Sequence, residues 1–280
     1  MIIKCWGTRG SIPVSGREYL KYGGDTTCIE IRSKKDDVII IDTGSGIREL
    51  GKKMLMEKRD KFTILFTHFH WDHIMGFPFF RPIYNEGTMI DFYGCAFDQG
   101  SIEEMISKTM VSPHFPVNFN EVKAAFSYVT VCSRSFQINT IAVTPIMLSH
   151  PNMGLGYKFV EDGKTFVFIT DNELTYKHPG GLDFEDYRAF ASDADLLLHD
   201  SEYIGEEYEA KKTWGHSIYN DALRLAMESG AKGFGLCHHN QNRTDDEQDA
   251  IVADCHRIIA GGKRPSLNCF AVYQGMEIAL

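Results

Sequence analysis

The stretch ILFTHFHWDHIMG, residues 64–76, constrains the fold and chemistry of this chain more than any other part of the sequence. It places four residues that can bind a metal, His68, His70, Asp72 and His73, within six positions, directly after an apolar run. The apolar run predicts a buried strand, and residues two apart in an extended chain point to the same side. A loop at the strand's C-terminal end can fold all four side chains around one point. Imidazole and carboxylate ligands suit zinc, manganese or iron, and four so close can be shared between two ions.

Composition and length indicate one ordinary globular unit. The chain has 280 residues, of which 43% are hydrophobic and 24% charged, and no linker divides it, so we expect a single domain over 1–280. The N-terminus does not look like a signal peptide, and no stretch approaches the roughly 18–20 apolar residues that span a membrane. We therefore expect a soluble, cytoplasmic protein without a membrane partner.

Charge and cysteine content argue against a nucleic-acid partner and against a zinc site built of cysteines. The net charge of −9 argues against nucleic acid as a partner, because nucleic acid is held mainly through phosphate contacts with Lys and Arg. The seven cysteines are scattered without a CxxC pair. We expect them to be buried small hydrophobes, and a zinc site built of cysteines is improbable.

Apolar and β-branched runs alternate with helical patterns along the chain. The helix over 217–229 has Ser217 as its expected cap, and the last helix starts with Asp245. This order predicts an α/β fold with two stacked sheets and helices on the outside. The predicted strands are 2–7, 27–33, 38–44, 63–68, 89–94, 141–150, 156–161, 165–171, 195–200 and 233–238, and the predicted helices are 45–58, 101–110, 183–191, 217–229 and 245–260.

Three more apolar strands end in residues that can bind a metal. The first ends at His150, the second at Asp171, and the third at the pair His238 and His239. Site residues gather at such strand ends in α/β proteins, and a carboxylate can bridge two cations. We therefore predict one metal held by His68, His70 and His150, and a second held by Asp72, His73 and one of His238 and His239, with Asp171 between them.

The motif THFHWDH, followed in order by a histidine, an aspartate and a histidine, resembles the metallo-β-lactamase superfamily over essentially the whole chain. A later motif, WGHSIYNDAL, is similar to the GHS-like motif of a phosphodiesterase-type branch, which contains ribonuclease Z and the cyclic phosphodiesterase of the phosphonate pathway. The resemblance implies an αββα four-layer sandwich with a site for two metals. It also selects His238 as the last ligand, because the family's L-T-H matches L-C-H here, and leaves His239 beside the site or at the surface.

The resemblance implies roles for residues around the metals. His216 would contact the substrate phosphate or protonate the leaving group, although it can also simply precede the helix at 217. Asp42 would orient the histidine loop, and residues 199–203 would support the ligands. The Gly-rich loops that contain Arg9 and Thr26 are explained by turn chemistry, although they lie where the family's loops approach the substrate.

The resulting hypothesis is metal-dependent hydrolysis of a small phosphodiester such as a cyclic nucleotide. Two divalent ions, with zinc expected and manganese or iron as alternatives, would share a hydroxide, with Asp72 and His216 as catalytic residues. One alternative is tRNA 3′ processing, as in ribonuclease Z, but the spacing of the motifs leaves no room for the protruding arm common in that branch. Others are lactone or thioester hydrolysis and a non-enzymatic metal scaffold. The aromatic segment 110–119 can be a lid or simply packing, and the resemblance favours a homodimer.

Overall fold

The structure, a computed structural model, describes residues 1–262 and 266–280. Those residues form two sheets of seven strands each. The strands are β1 Ile2–Gly7, β2 Cys28–Arg32, β3 Val38–Ile41, β4 Lys61–Leu65, β5 Met89–Gly94, β6 Ala125–Thr130, β7 Phe136–Ile138, β8 Ile141–Met147, β9 Leu155–Glu161, β10 Lys164–Ile169, β11 Leu196–Asp200, β12 Gly233–Cys237, β13 Asn268–Ala271 and β14 Glu277–Ala279. The helices are α1 Ile47–Met56, α2 Trp71–Ile74, α3 Ile102–Ser107, α4 Phe184–Phe190, α5 Gly205–Lys211, α6 Tyr219–Ser229 and α7 Asp245–Gly261.

The two sheets each contain a parallel block. The first sheet has the order β14-β1-β2-β3-β4-β5-β6, and β3 to β6 pair in parallel. The second has the order β13-β12-β11-β10-β9-β8-β7, and β10 to β13 pair in parallel. The C-terminal ends of neighbouring parallel strands meet at one edge of a sheet, which brings distant parts of the chain together there.

Alternating burial along the strands builds the layers. In β3, Ile39 and Ile41 pack into the core between the sheets, whereas Val38 and Ile40 pack against α1 on the outer face. Successive side chains of a strand point to opposite faces, so a strand that is apolar throughout needs cover on both sides. The second sheet is covered in the same way by α4, α6 and α7. The predicted αββα sandwich is confirmed.

The structure contains a strand at each of the ten predicted positions and a helix at each of the five predicted positions. The structure adds β6, β7, β13, β14 and α5, which were not predicted, and the loop after β4 contains the short helix α2. The prediction that Ser217 caps α6 is wrong, because Ile218 precedes the helix and the Ser217 hydroxyl donates to the carbonyl of Asn172. The prediction for the cysteines is wrong for two of them, since Cys95 and Cys132 form a disulfide; the free cysteines Cys5, Cys28, Cys237, Cys255 and Cys269 are buried as expected.

The aromatic segment 110–119 packs on the outside of the first sheet. Phe115, Val117 and Phe119 lie against the cluster that covers this face, and the Phe115 ring meets that of Phe79 at 5.7 Å. These contacts favour packing over a lid. Within residues 1–262 and 266–280, no helix has the length and apolar character needed to cross a membrane. The single domain, the homodimer and the cytoplasmic location stay predictions.

Candidate metal centre

The centre lies where strands of both sheets end. Asp42, Asp171 and His238 follow the ends of β3, β10 and β12 by one or two residues, and each has a left-handed backbone, with φ of 59°, 47° and 56°. Such a conformation costs about 1–3 kcal/mol at a non-glycine residue, so it persists where surrounding contacts fix it. Beyond these turns, the side chains of Asp171 and His238 enter the centre and that of Asp42 reaches His73.

Seven side chains meet at that point in two overlapping groups. The first contains His68, His70, His150 and Asp171, and the second contains Asp72, His73, Asp171 and His238. Within each group, one ligand atom of every residue lies within 4.8 Å of the others. These are the groups that the sequence predicted, with Asp171 in both.

In the first group, ring nitrogens converge on one carboxylate oxygen. His70 Nδ1 and His150 Nε2 approach to 2.9 Å. Asp171 Oδ2 lies 3.6 Å from His68 Nε2 and 3.9 Å from His150 Nε2. Three imidazoles and a carboxylate aimed at one small space form a donor set suited to a divalent transition metal.

In the second group, two carboxylates face two imidazoles. Asp72 Oδ2 lies 3.3 Å from the Nε2 atoms of both His73 and His238. Asp171 approaches the same nitrogens, with Oδ1 3.2 Å from His73 and Oδ2 3.3 Å from His238. The carboxylate of Asp171 therefore reaches both groups, as that of a residue bridging two ions must.

The buried nitrogens test whether metal fits. His68 Nε2 and His73 Nε2 are buried and make no hydrogen bond, and an unsatisfied buried polar atom costs about 1–3 kcal/mol. Burial lowers the pKa of His68 and of His150 well below the usual range, which favours the neutral imidazole that binds metal. A divalent ion in each group would satisfy these atoms, so the residues fit the cofactor.

The charge of the centre also fits bound cations. Although burial opposes ionisation, the neighbouring imidazoles hold the pKa values of Asp72 and Asp171 well below the usual range. Against the opposing effect of burial, Asp171 and the carboxylates around it raise the pKa values of His73 and His238. Two buried carboxylates thus require nearby positive charge, which protons supply in the bare chain and divalent ions would supply on binding.

The other nitrogen of several rings is held by an acceptor outside the centre. His73 Nδ1 donates to Asp42 at 2.8 Å, and Asp42 also accepts from the backbone and the hydroxyl of Thr67. His238 Nδ1 bonds Glu202 at 3.0 Å, and His150 Nδ1 donates to the carbonyl of Gly215 at 2.9 Å. Such bonds fix ring orientation and leave the Nε2 atoms facing inward.

His216 lies at the edge of the centre and pairs with an acid. Its Nδ1 bonds Asp200 at 2.9 Å, and its ring stacks on that of His238 at 4.8 Å. Burial opposes the charged ring, but the carboxylates of Glu202 and Asp200 raise the pKa of His216 to about 9. Asp200 and Glu202 lie within residues 199–203, where the sequence placed support for the ligands.

His238 and His239 face opposite ways. His239 Nε2 bonds the carbonyl of Val272 at 2.7 Å, and its ring packs edge-on against Tyr22. Adjacent residues at a strand end point to opposite sides, which brings only His238 into the cluster. Of the two histidines that the residue pattern left open, only His238 lies among the donor groups, and its role as a ligand stays a prediction.

The two Gly-rich loops hold Asp72 in place. The guanidinium of Arg9 donates to the carbonyls of Gly23, Asn240 and Arg243, so it is fully engaged within the protein. Thr26 donates its hydroxyl to the carbonyl of Asp72 at 2.7 Å, and the Ser11 backbone N–H donates to the Asp72 carboxylate at 2.9 Å. Both loops position Asp72.

Two residues that support the centre, Glu173 and Gly215, were not predicted from the sequence. Glu173 binds the segment before His216, and Gly215 accepts the bond from His150. The only local signal was the position of Glu173 two residues after Asp171. Of the two aromatic residues that alternate with the ligands, Trp71 is 57% exposed and Phe69 packs on Phe66.

Comparison with known proteins gives a family match over most of the chain. The family described as the beta-lactamase superfamily domain matches residues 38–239. Ribonuclease Z from Myxococcus xanthus is 25% identical over 283 aligned positions, covering 84% of this chain and 88% of that protein. Ribonuclease Z from Haloarcula marismortui is also 25% identical, covering 83% of this chain and 84% of that protein.

Solved structures share the fold at lower identity. The metallo-beta-lactamase fold protein YhfI from Bacillus subtilis has a TM-score of 0.72 at 17% identity, covering 99% of this chain and 98% of that one. A diphosphatase from the PhnP family has a TM-score of 0.69 at 16% identity, covering 100% and 97%. The short form of human tRNase Z has a TM-score of 0.66 at 18% identity, covering 100% and 99%.

Proposed function

Because the chain belongs to the beta-lactamase superfamily, we propose that it is a metal-dependent hydrolase that cleaves a small phosphodiester. The observation that carries the proposal is the pair of overlapping donor groups joined by Asp171, with His216 at their edge. Structural zinc sites are closed by four protein ligands around one ion, whereas catalytic sites leave a position for water or substrate. A shared carboxylate between two groups is typical of hydrolytic two-metal sites.

In this proposal His68, His70 and His150 hold one divalent ion, Asp72, His73 and His238 hold the other, and Asp171 binds both. The five imidazoles suit zinc, and the two carboxylates also admit manganese or iron. When bound, such ions supply Lewis-acid polarisation of the phosphate and activation of water.

The chain's own residues supply proton transfer and orientation. Because Asp200 takes up Nδ1 of His216, Nε2 is the ring atom left to hold a proton towards a substrate, and it can protonate the departing oxygen. The Asp72 carboxylate is fixed by the Ser11 N–H and can accept a proton from water. Asp72 and His216 are therefore the proposed catalytic residues.

Short connections between the motifs favour a small substrate. His150 and Asp171 are joined by the β9–β10 hairpin, whose turn is residues 162–163, and the chain from Asp171 to His216 is taken up by α4, β11 and α5. No protruding arm occurs in these connections, all of which lie within the described residues. The net charge of −9 also disfavours a polyanionic RNA.

The second candidate is tRNA 3′ processing, which is favoured by the name ribonuclease Z of the curated relatives. The small-substrate proposal is supported in turn by the diphosphatase of the PhnP family among the structural neighbours. Lactone or thioester hydrolysis is the third candidate, since the same donor set can polarise a carbonyl.

A substrate panel on metal-loaded protein separates these candidates. Purified protein is loaded with Zn²⁺ or Mn²⁺ and assayed with bis-p-nitrophenyl phosphate, nucleoside cyclic phosphates, a precursor tRNA, an acyl lactone and a thioester. His68→Ala tests dependence on the centre, and His114→Ala, at an exposed histidine, is the matched control.

We expect turnover of the small phosphodiesters that His68→Ala abolishes and His114→Ala leaves unchanged. Turnover of the lactone or thioester alone would refute the phosphodiesterase, and efficient cleavage of precursor tRNA alone would establish the second candidate. Fewer than one bound ion per chain, with no hydrolysis after reloading, would indicate a non-enzymatic scaffold.

A further inference from the structure

A large exposed aromatic side chain belongs to the segment that leads into His216. Trp214 is 61% exposed and lies two residues before His216. Tryptophan combines a large apolar ring with a polar N–H, and it is enriched where proteins contact ligands and partners. Its position two residues before a proposed catalytic residue makes it a candidate contact for a ligand that binds there.

The backbone that carries Trp214 is held in an uncommon conformation. Thr213 has φ of 76°, which is a genuine outlier for a β-branched residue. Gly215, the residue after Trp214, has φ of 95°. A relaxed turn would avoid the strain at Thr213, so something in the surroundings imposes this conformation.

A buried carboxylate fixes the segment. Glu173, 1% exposed, accepts the backbone N–H groups of Thr213 and Gly215 with different oxygens, both at 2.9 Å. The same oxygens accept the hydroxyl of Tyr208 at 2.6 Å and Nε2 of His178 at 2.8 Å. Four donors on one buried carboxylate make the segment rigid, so Trp214 is displayed rather than loose.

The segment is also joined to the proposed ligands. The carbonyl of Gly215 accepts Nδ1 of His150, whose ring contacts those of His70 at 4.8 Å and His216 at 5.3 Å. A second exposed indole, Trp71, directly follows His70 in the sequence. His150 bonds both His70 and Gly215, so the segments that carry the two tryptophans meet at His150.

Positive charge accompanies Trp214 in an otherwise acidic chain. Lys211 and Lys212 precede it, Lys212 is exposed, and Nζ of Lys211 lies 4.7 Å from the centre of the Tyr203 ring. Indole faces stack on nucleobases, and neighbouring ammonium groups attract phosphate. The combination suits a ligand that has both a planar base and an anionic phosphate.

We propose that Trp214 is a specificity-determining residue that stacks the nucleobase of the substrate, so that the small phosphodiester is a nucleotide. This rests on the proposed function for the cleaved bond and adds the group that is recognised. Glu173 is a positioning residue in this arrangement, because it acts on the substrate only through the segment that holds Trp214.

The test compares two substrates that share the reacting ring and differ in the base. Adenosine 2′,3′-cyclic phosphate and glycerol 1,2-cyclic phosphate both contain a five-membered cyclic phosphodiester. Trp214→Ala should raise KM for the adenosine compound about tenfold, with kcat within about twofold and no change for the glycerol compound. Trp214→Phe should restore most of the lost affinity, and Met56→Ala, at a residue 77% exposed on α1, should change neither.

Equal effects of Trp214→Ala on both substrates, or no effect on the adenosine compound, would overturn the proposal. A binding readout keeps it testable if the wild type hydrolyses neither compound, an outcome that defeats the proposed function alone. Metal-loaded protein is titrated with adenosine 5′-monophosphate and with glycerol 3-phosphate. Binding of the nucleotide that is stronger than that of glycerol phosphate and lost in Trp214→Ala supports stacking, and equal binding of the two refutes it.

Discussion

Replacing Gly215 by alanine should damage the metal centre without touching any proposed ligand. A Cβ at this position would lie closer than 3.0 Å to His150 Nδ1 and to the Cδ of Pro151, a separation that real Cβ atoms essentially never show. The backbone is also left-handed there, with φ of 95°. Either the His150 ring or the segment before His216 must move.

The magnitude has two parts. Left-handed backbone costs alanine about 1–2 kcal/mol. Ordinary contact requires 3.4 Å or more, so the ring must also shift, and the bond from His150 Nδ1 to the Gly215 carbonyl is strained or lost. Loss of such support for a metal-bound histidine typically lowers metal affinity by roughly 10–100-fold. A displacement of about 1 Å can cost about 100-fold in rate.

Gly275→Ala separates strain from displacement. Gly275 has φ of 93°, and an added Cβ there meets nothing within 4 Å. The assay is urea unfolding of the metal-free chain together with calorimetric titration of Zn²⁺. We expect both variants to lose about 1–2 kcal/mol of unfolding free energy through strain, and only Gly215→Ala to lose more and to bind zinc weakly. Equal losses of stability and unchanged zinc affinity in both would refute the reasoning.

Three further perturbations test the centre. His238→Ala should lower bound metal by about one ion per chain by mass spectrometry, while His239→Ala should retain both ions; the reverse would select His239. Asp42→Asn should weaken zinc binding about 10–100-fold by calorimetry, because the charge that orients His73 is lost; unchanged affinity would contradict that role. Removing metal with a chelator should lower the urea midpoint, because two buried carboxylates lose their cations; an unchanged midpoint would argue against metal in the folded chain.

The ligand set could be predicted because its signals are local. Four of the seven side chains come from one loop, and the other three follow strands that are mainly apolar. The elements that were missed lack such signals. β6 is largely exposed and carries no buried side chain, and β7 and β14 have three residues each. Short, exposed strands are formed by pairing with a neighbour rather than by their own pattern.

The support around the ligands depends on contacts that only the fold creates. Glu173 reaches Gly215 across 42 positions, and Cys95 meets Cys132 across 37. No spacing rule connects such pairs, because the chain between them is taken up by strands and helices of ordinary length. Without an alignment to show paired changes, a buried carboxylate such as Glu173 looks like any acidic residue on a surface.

The errors in strand length carry information of their own. The strands predicted to end at residues 44, 68, 150 and 171 leave their sheets two or three residues earlier. Where Asp42 and Asp171 follow the last paired residues, the backbone turns left-handed, a conformation that aspartate tolerates better than most residues. The apolar pattern continues past the sheet because the turning residues are still buried, now against the centre. An overlong apolar strand that ends in Asp or His therefore indicates where a chain leaves its sheet to build a site.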